Sequence, residues 1–365
     1  MWSLPPGSRT PAADGYLFTD IQKAWLFFRE VLPMSEKSGF RYTKAPYRYV
    51  ARFRDGKWDE GGLTADENIV LNESACVLQY AQNVFEGLKA RRTADGRIIC
   101  FRPDMNAARM AASCRRMFMP VFPEEKFLEA VRMVVDANRD VIPPYGDGSS
   151  LYIRPFMIGT DPVLGVKPAQ EFEFRMFVSP VGPYFSRMVS LRVCDYDRAA
   201  PHGTGSIKAG LNYAMSLYPI AEAHELGYDE NLYLDAATRT YVEETGGANI
   251  FFITEDGSLV TPKSDTILPS ITRASLLEVA SGELGLKTEE RRIAISEVQG
   301  FIECGLCGTA AVVSPVGSLD DHGSVHTFFE GTEYEDSVTY RISALLKGIM
   351  EGDRPAPEGW IMEIS

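Results

Sequence analysis

The chain has 365 residues, 45% of them apolar and 24% charged, and a formal net charge of −13. That length suits two domains rather than one core, and the composition is that of a folded globular protein. The acidic balance offers no attraction for nucleic acid or an anionic membrane surface, and no run approaches the ~20 apolar residues of a spanning helix, so neither is an expected partner.

In chain order, the opening "MWSLPPGSRTPAADGYLF" has neither a basic segment followed by an apolar one nor the repeated arginines of an organelle-targeting helix. It reads as an arm leading into "IQKAWLFFREVL", and a cytoplasmic location is expected. "YRYVARFRDGKW" alternates and then turns at Asp55-Gly56, which predicts a hairpin. "RIICFR" reads as a strand. Pro103 suits the first turn of a helix over "PDMNAARMAASCRRMFM". "EEKFLEAVRMVVDANRDVI" is an amphipathic helix that ends before Pro143-Pro144. "SLYIRPFMIG" and "EFRMFVSPVGPYF" are strand-like. A looser stretch over about 181 to 206 holds the expected linker at 181–189, between an N-terminal α/β domain of 1–180 and a C-terminal domain of 190–365.

"LNYAMSLYPIAEAHELG" reads as one helix, bent at Pro219 and closed near Gly227. "NLYLD", "TYVEE", "NIFFI" and "LVTP" are short strands, and "DSVTYRISALLKGIME" is a late amphipathic helix. There is no internal repeat. Six cysteines are present, two of them as the C-x-x-C of Cys304 and Cys307. Neither a second such pair nor a histidine pair accompanies them, so no metal site is expected; a redox pair is the alternative to the plainer reading of reduced, partly buried thiols.

The stretch "HGTGSIKAGLNY" looks like a glycine-rich phosphate loop ending in a lysine. A P-loop needs its lysine next to the last glycine and followed by a hydroxyl residue. Here Gly205 is three residues before Lys208, and Ala209 follows it. The nucleotide reading therefore fails, and on this stretch alone Lys208 is a solvated loop lysine. The wider constellation changes that. "IKAGLNY" is followed about 30 residues later by "EETGGANIF". "NVFEGLKA", "FRPDMNAARM", "LYIRPFMIG", "TILPSITRASLL" and "GTAAVVSPV" stand in matching order. Together they resemble fold-type IV pyridoxal-phosphate enzymes, and among these the longer branched-chain amino acid aminotransferases, over about residues 40 to 350.

The resemblance implies an α/β (α+β) chain of two domains with a β-barrel-like C-terminal domain, pyridoxal 5′-phosphate between them, and a homodimer. It makes Lys208 the Schiff-base lysine, a role that requires an amine with a lowered pKa. Glu244 would hold the proton on the pyridine nitrogen. Glu243 competes for that place, but neighbours on a strand face opposite ways. Tyr213 would reach the cofactor's phenolic oxygen. The phosphate would take Ile271 N–H and Thr272 at a helix start, Thr309, and Arg109. Tyr80, Phe85 and Tyr152 would wall the substrate side chain. Arg154, two residues on from Tyr152, would face the same way; it or a tyrosine hydroxyl would serve glutamate's far carboxylate, with the backbone of Ala310 and Ala311 on the α-carboxylate. Without the resemblance, Arg109 is an exposed helix arginine, Tyr213 a helix tyrosine with a wet tip, and the aromatics core packing.

The implied reaction passes the amino group of L-leucine, L-isoleucine or L-valine to 2-oxoglutarate, giving branched 2-oxo acids and L-glutamate. A D-amino acid transaminase, an aminodeoxychorismate lyase and a non-catalytic relative are the alternatives. Two positions depart from some relatives. Ala311 and Ser314 stand where a C-x-x-C redox switch occurs, and Gly247 where a threonine does.

Overall fold

The computed structural model describes residues 40–182, 187–310 and 312–364. The expected N-terminal arm, the segment "IQKAWLFFREVL" and Ala311 lie outside them. The first sheet is built from β1 (Arg48–Arg54), β2 (Lys57–Trp58), β3 (Gly62–Thr64), β4 (Asn83–Phe85), β5 (Leu88–Arg92), β6 (Ile98–Phe101), β7 (Ser150–Gly159) and β8 (Phe172–Val181). The second holds β9 (Val189–Val193), β10 (Glu230–Leu234), β11 (Val242–Thr245), β12 (Asn249–Thr254), β13 (Leu259–Pro262), β14 (Thr288–Arg291), β15 (Phe301–Gly308), β16 (Val312–Asp321) and β17 (Ser324–Thr327). The last strand, β18 (Ile361–Ile364), returns to the first sheet and pairs antiparallel with β6.

The first sheet runs β18-β6-β5-β7-β8-β1-β2, and the second runs β11-β10-β9-β16-β15-β12-β13-β14. Both sheets curl, so the architecture is the mixed α/β, barrel-like one expected. The predicted hairpin is present, with Asp55 and Gly56 at φ of 52° and 76°, the left-handed pair a tight hairpin turn requires.

Hydrophobic spacing sets the layers. On the Glu124–Asp136 helix the buried residues are Phe127, Ala130, Val131, Val134 and Val135, one stripe at helical period. With the Pro103–Arg116 helix it covers the first sheet in a core around Phe174, Met157 and Ile153. A second core, around Phe252, Leu232 and Val316, lies within the second sheet. A third packs the Ile271–Gly282 and Val338–Glu351 helices against it.

Two elements differ from their sequence pattern. The helix expected to end just before Pro143 stops at Asp136 and is followed by a short 3-10 turn at Arg139–Val141. The predicted helix over 211–227 is two helices, Gly210–Ala214 and Leu217–Glu225. Pro219 has no N–H to give Met215 O and its ring crowds that carbonyl, so the chain breaks before the proline instead of bending at it. Pro219 sits in the first turn of the second helix, where the missing donor costs nothing. Gly227, at φ 89°, closes that helix as expected.

Candidate active site

The glycine-rich stretch is shaped by packing. A Cβ on Gly205 would lie 2.1 Å from the carbonyl oxygen of Thr266, so only glycine passes there. Ile207 and Ala209 are buried, and Lys208 between them turns its side chain the other way. Phe85 N–H donates to Lys208 O at 3.0 Å, Ala209 bridges Val84, and Gly210 N–H donates to Asn83 Oδ1 at 3.0 Å. The lysine segment thus lies along β4, an element of the first sheet.

The amine itself is enclosed. Lys208 Nζ donates to Tyr213 OH at 2.7 Å and lies 4.7 Å from the centre of the Phe85 ring. Burial first, and then the Arg109 charge, lower its pKa from 10.5 to about 8, with Glu86 opposing both. Burial, with Glu244 nearby, pushes the Tyr213 phenol up to about 12. The pair is therefore a lysine ready to lose its proton beside a phenol that keeps its own.

Glu244, buried on β11, lines the same pocket as Lys208. It pairs with Arg198 Nη1 at 2.9 Å, accepts Leu268 N–H at 2.8 Å, and accepts Asn249 Nδ2 at 2.7 Å. Burial raises its pKa and Arg198 opposes that. Glu243 faces away and accepts from Ser264 Oγ and Thr266 Oγ1. Alternation along the strand separates the two carboxylates as the sequence suggests.

Ser270, which also lines the pocket, caps the Ile271–Gly282 helix by accepting Arg273 N–H at 3.1 Å. Free N–H groups and the dipole of that helix suit an anion. Arg109 reaches this turn, donating Nη1 to Pro269 O at 2.9 Å. Its Nε and Nη2 are held by the two oxygens of fully buried Glu86, each at 2.8 Å.

Lys208, Arg109, Tyr213, Glu244, Thr309, Phe85, Tyr152, Arg154 and Ala310 line one pocket of about 410 Å³, a size usual for small-molecule sites. Ile271 and Thr272 line a smaller cavity beside it that shares Gly87 and Thr309. Tyr152 OH accepts Arg154 Nη2 at 3.0 Å, so the two do face one way from β7. Gly87 makes room for that phenol, since a Cβ there would lie 2.1 Å from Tyr152 OH. Beyond Ala310, Val312 has φ 59°, a left-handed conformation that costs a β-branched residue on the order of 1–3 kcal/mol.

Tyr80 is not part of this pocket. It ends the short Cys76–Tyr80 helix, is 36% exposed, and donates its hydroxyl to Leu164 O. Two pocket groups escape the sequence. Arg198 lies in a loop with no periodicity, and Glu86 stands between a pocket aromatic and a glycine with nothing to mark it as buried. The signal for both is a charge that folding must pair, and the partner is visible only in three dimensions.

Residues 83–319 match the amino-transferase class IV family. The chain is 48% identical to the branched-chain-amino-acid aminotransferase of Haemophilus influenzae, over 89% of this chain and 97% of that one. It is 44% identical to the Helicobacter pylori enzyme of the same name, over 89% and 96%. Among solved structures, the Escherichia coli branched-chain amino acid aminotransferase superposes with a TM-score of 0.74 at 27% identity, covering 88% of this chain and all 100% of that one. The T.th. branched-chain amino acid aminotransferase, in complex with N-(5′-phosphopyridoxyl)-L-glutamate, also scores 0.74 at 27% identity, covering 88% and 99%. The chain belongs to the class IV amino-transferases and, within them, to the branched-chain-amino-acid aminotransferase family.

Proposed function

We propose that this chain transfers the amino group of L-leucine, L-isoleucine or L-valine to 2-oxoglutarate, with pyridoxal 5′-phosphate as carrier. One observation carries the reading. A lysine whose pKa is lowered to about 8 faces a pocket that also holds the buried Glu244–Arg198 pair and Arg109, which reaches a capped helix start. That donor set fits a ligand with a basic ring nitrogen at one end and a phosphate at the other.

The bound cofactor supplies a ring that takes up the electrons left when a Cα–H bond breaks. The residues do the rest. Lys208, as the neutral amine, would accept the proton released at the substrate's Cα and hold it for its return. Glu244 would hold the proton on the ring nitrogen, and Arg198 opposes the rise that burial gives its pKa. Tyr213 orients the phenolic oxygen. Ile271 N–H, Thr272, Thr309 and Arg109 hold the phosphate. The backbone of Ala310 would take the α-carboxylate; Ala311, expected to share that role, lies outside the described residues. Phe85 and Tyr152 cover the branched side chain, worth about 1.5–3 kcal/mol of burial. Arg154 answers the second carboxylate of glutamate. Tyr80 has no place in this assignment within one chain.

We read two domains, 1–180 and 190–365, joined across 181–189, although β18 of the second pairs into the first sheet. We read the assembly as a homodimer and the location as cytoplasmic; among the described residues no helix is long and apolar enough to cross a membrane. Steady-state assays of the purified holoenzyme with each L-amino acid and 2-oxoglutarate test the reading. Turnover of L-leucine, L-isoleucine and L-valine is expected, with D-alanine inert. Turnover of D-alanine without L-leucine would overturn it.

A further inference from the structure

Lys208 is joined to the rest of the site through its backbone as well as its amine. Its N–H donates to Ser113 Oγ at 3.0 Å. Ser113 is 1% exposed and lies on the Pro103–Arg116 helix, where its hydroxyl donates to Arg109 O at 3.0 Å. That second bond fixes the hydroxyl's proton on the helix side and turns a lone pair toward Lys208. The carbonyl of Lys208 is held as well, by Phe85 N–H at 3.0 Å. Both backbone groups of the lysine are thus bound by elements of the first sheet and its covering helix.

The same helix face holds the rest of that end of the pocket. Asn106, Arg109 and Ser113 are spaced i, i+3 and i+7 and share one side. Asn106 Nδ2 donates to Glu86 Oε2 at 2.7 Å and Arg109 pairs with Glu86 at 2.8 Å. Ser113 is the member of this face that reaches the lysine segment.

We infer that Ser113 is a positioning residue for the transamination, its hydroxyl fixing the backbone of Lys208 so that the amine stands where the proton must move. The inference rests on the reading of Lys208 as the proton-moving amine. Proton transfer is sensitive to small displacements, whereas the cofactor's phosphate and the substrate's carboxylate are held by other groups. Losing Ser113 should therefore act on kcat and leave binding alone.

The test compares the wild-type holoenzyme with Ser113→Ala and Ser113→Thr. Alanine removes the acceptor without adding volume, and threonine keeps a hydroxyl that can make the same helix bond. For Ser113→Ala, kcat should fall by about three- to tenfold, the range that corresponds to one ordinary hydrogen bond. KM for L-leucine and the affinity for pyridoxal phosphate should stay within about twofold, by the same argument from separate binding groups. Amide exchange at Lys208 should quicken, a change read without turnover, and Ser113→Thr should recover most of kcat. If the threonine variant does not fold, Ser113→Cys, with a weaker acceptor of similar size, should fall between wild type and alanine. Unchanged kcat with an active wild type would overturn the inference. So would a loss of cofactor affinity equal to the loss of kcat, since Ser113 would then serve the phosphate end through Arg109. A wild type that does not turn over L-leucine would instead defeat the functional reading.

Discussion

Glu243 and Glu244 are neighbours of one type with opposite surroundings. Glu244 meets Arg198, Asn249 and the pocket, while Glu243 meets two hydroxyls on the far side of its strand. Glu244→Gln should keep the cofactor bound but lower kcat by about a hundredfold or more, the scale of a lost proton-holding group. Glu243→Gln should cost only a few-fold, and the reverse order in the two kcat values would move the role to Glu243. The Lys208 amine makes a second prediction. Because its pKa is lowered to about 8, the neutral form is scarce below that pH and dominant above it. The rate at which cofactor-free enzyme reacts with an added aldehyde should rise through about 8, not 10.5. Arg109→Met removes a positive charge that disfavours the ammonium and leaves Glu86, which favours it, so the midpoint should move upward. A fixed or lower midpoint would mean that Arg109 does not act on the amine.

At the scale of single elements, most of the chain is legible. The stripe over 124–136, the turn at Asp55-Gly56 and the proline-led helix at Pro103 all follow from spacing and backbone chemistry. The break before Pro219 is less so, because the pattern on either side continues through it and only the clash with the carbonyl four residues back divides the helices. Strand geometry also decides the cysteine pair. Cys304 and Cys307 lie three apart on β15, hence on opposite faces, and pack into different cores. They cannot close a disulfide while the strand is intact. All six cysteines are free and buried. A thiol reagent should therefore find almost none in the native protein and six after unfolding, and mild oxidants should leave activity unchanged. Rapid native labelling of Cys304 or Cys307 would contradict this.

At the scale of the whole molecule, what the sequence hides is mostly long-range pairing. Lys208 is far along the chain but lies against β4, and β18 leaves the C-terminal half to extend the first sheet. The family motifs reveal Lys208, Glu244 and Tyr213, whereas Arg198 and Glu86 become visible only when the chain brings each to its partner. Tyr80 shows the converse, an aromatic near the motifs in sequence that packs outside the pocket. Trp360 marks the seam where the chain returns. It is buried against the core of the Val338–Glu351 helix, its carbonyl accepts Arg102 N–H at 2.7 Å, and the Arg102 guanidinium lies 4.5 Å over its ring. Trp360→Ala should destabilise the fold by about 3–5 kcal/mol, read as a lower midpoint in denaturant; a shift under about 1 kcal/mol, the size of an ordinary substitution, would show that the seam adds little.

The most direct test of the central claim is the absorbance spectrum of the purified holoenzyme before and after L-leucine alone, with wild type beside Lys208→Ala. The wild type should show the visible band of a lysine-bound cofactor, replaced by a shorter-wavelength band as one equivalent of amino group is taken up, and 2-oxoglutarate should restore it. Lys208→Ala should lack the lysine-bound band and turn over no substrate. A wild-type band indifferent to L-leucine, or substantial turnover without Lys208, would contradict the account.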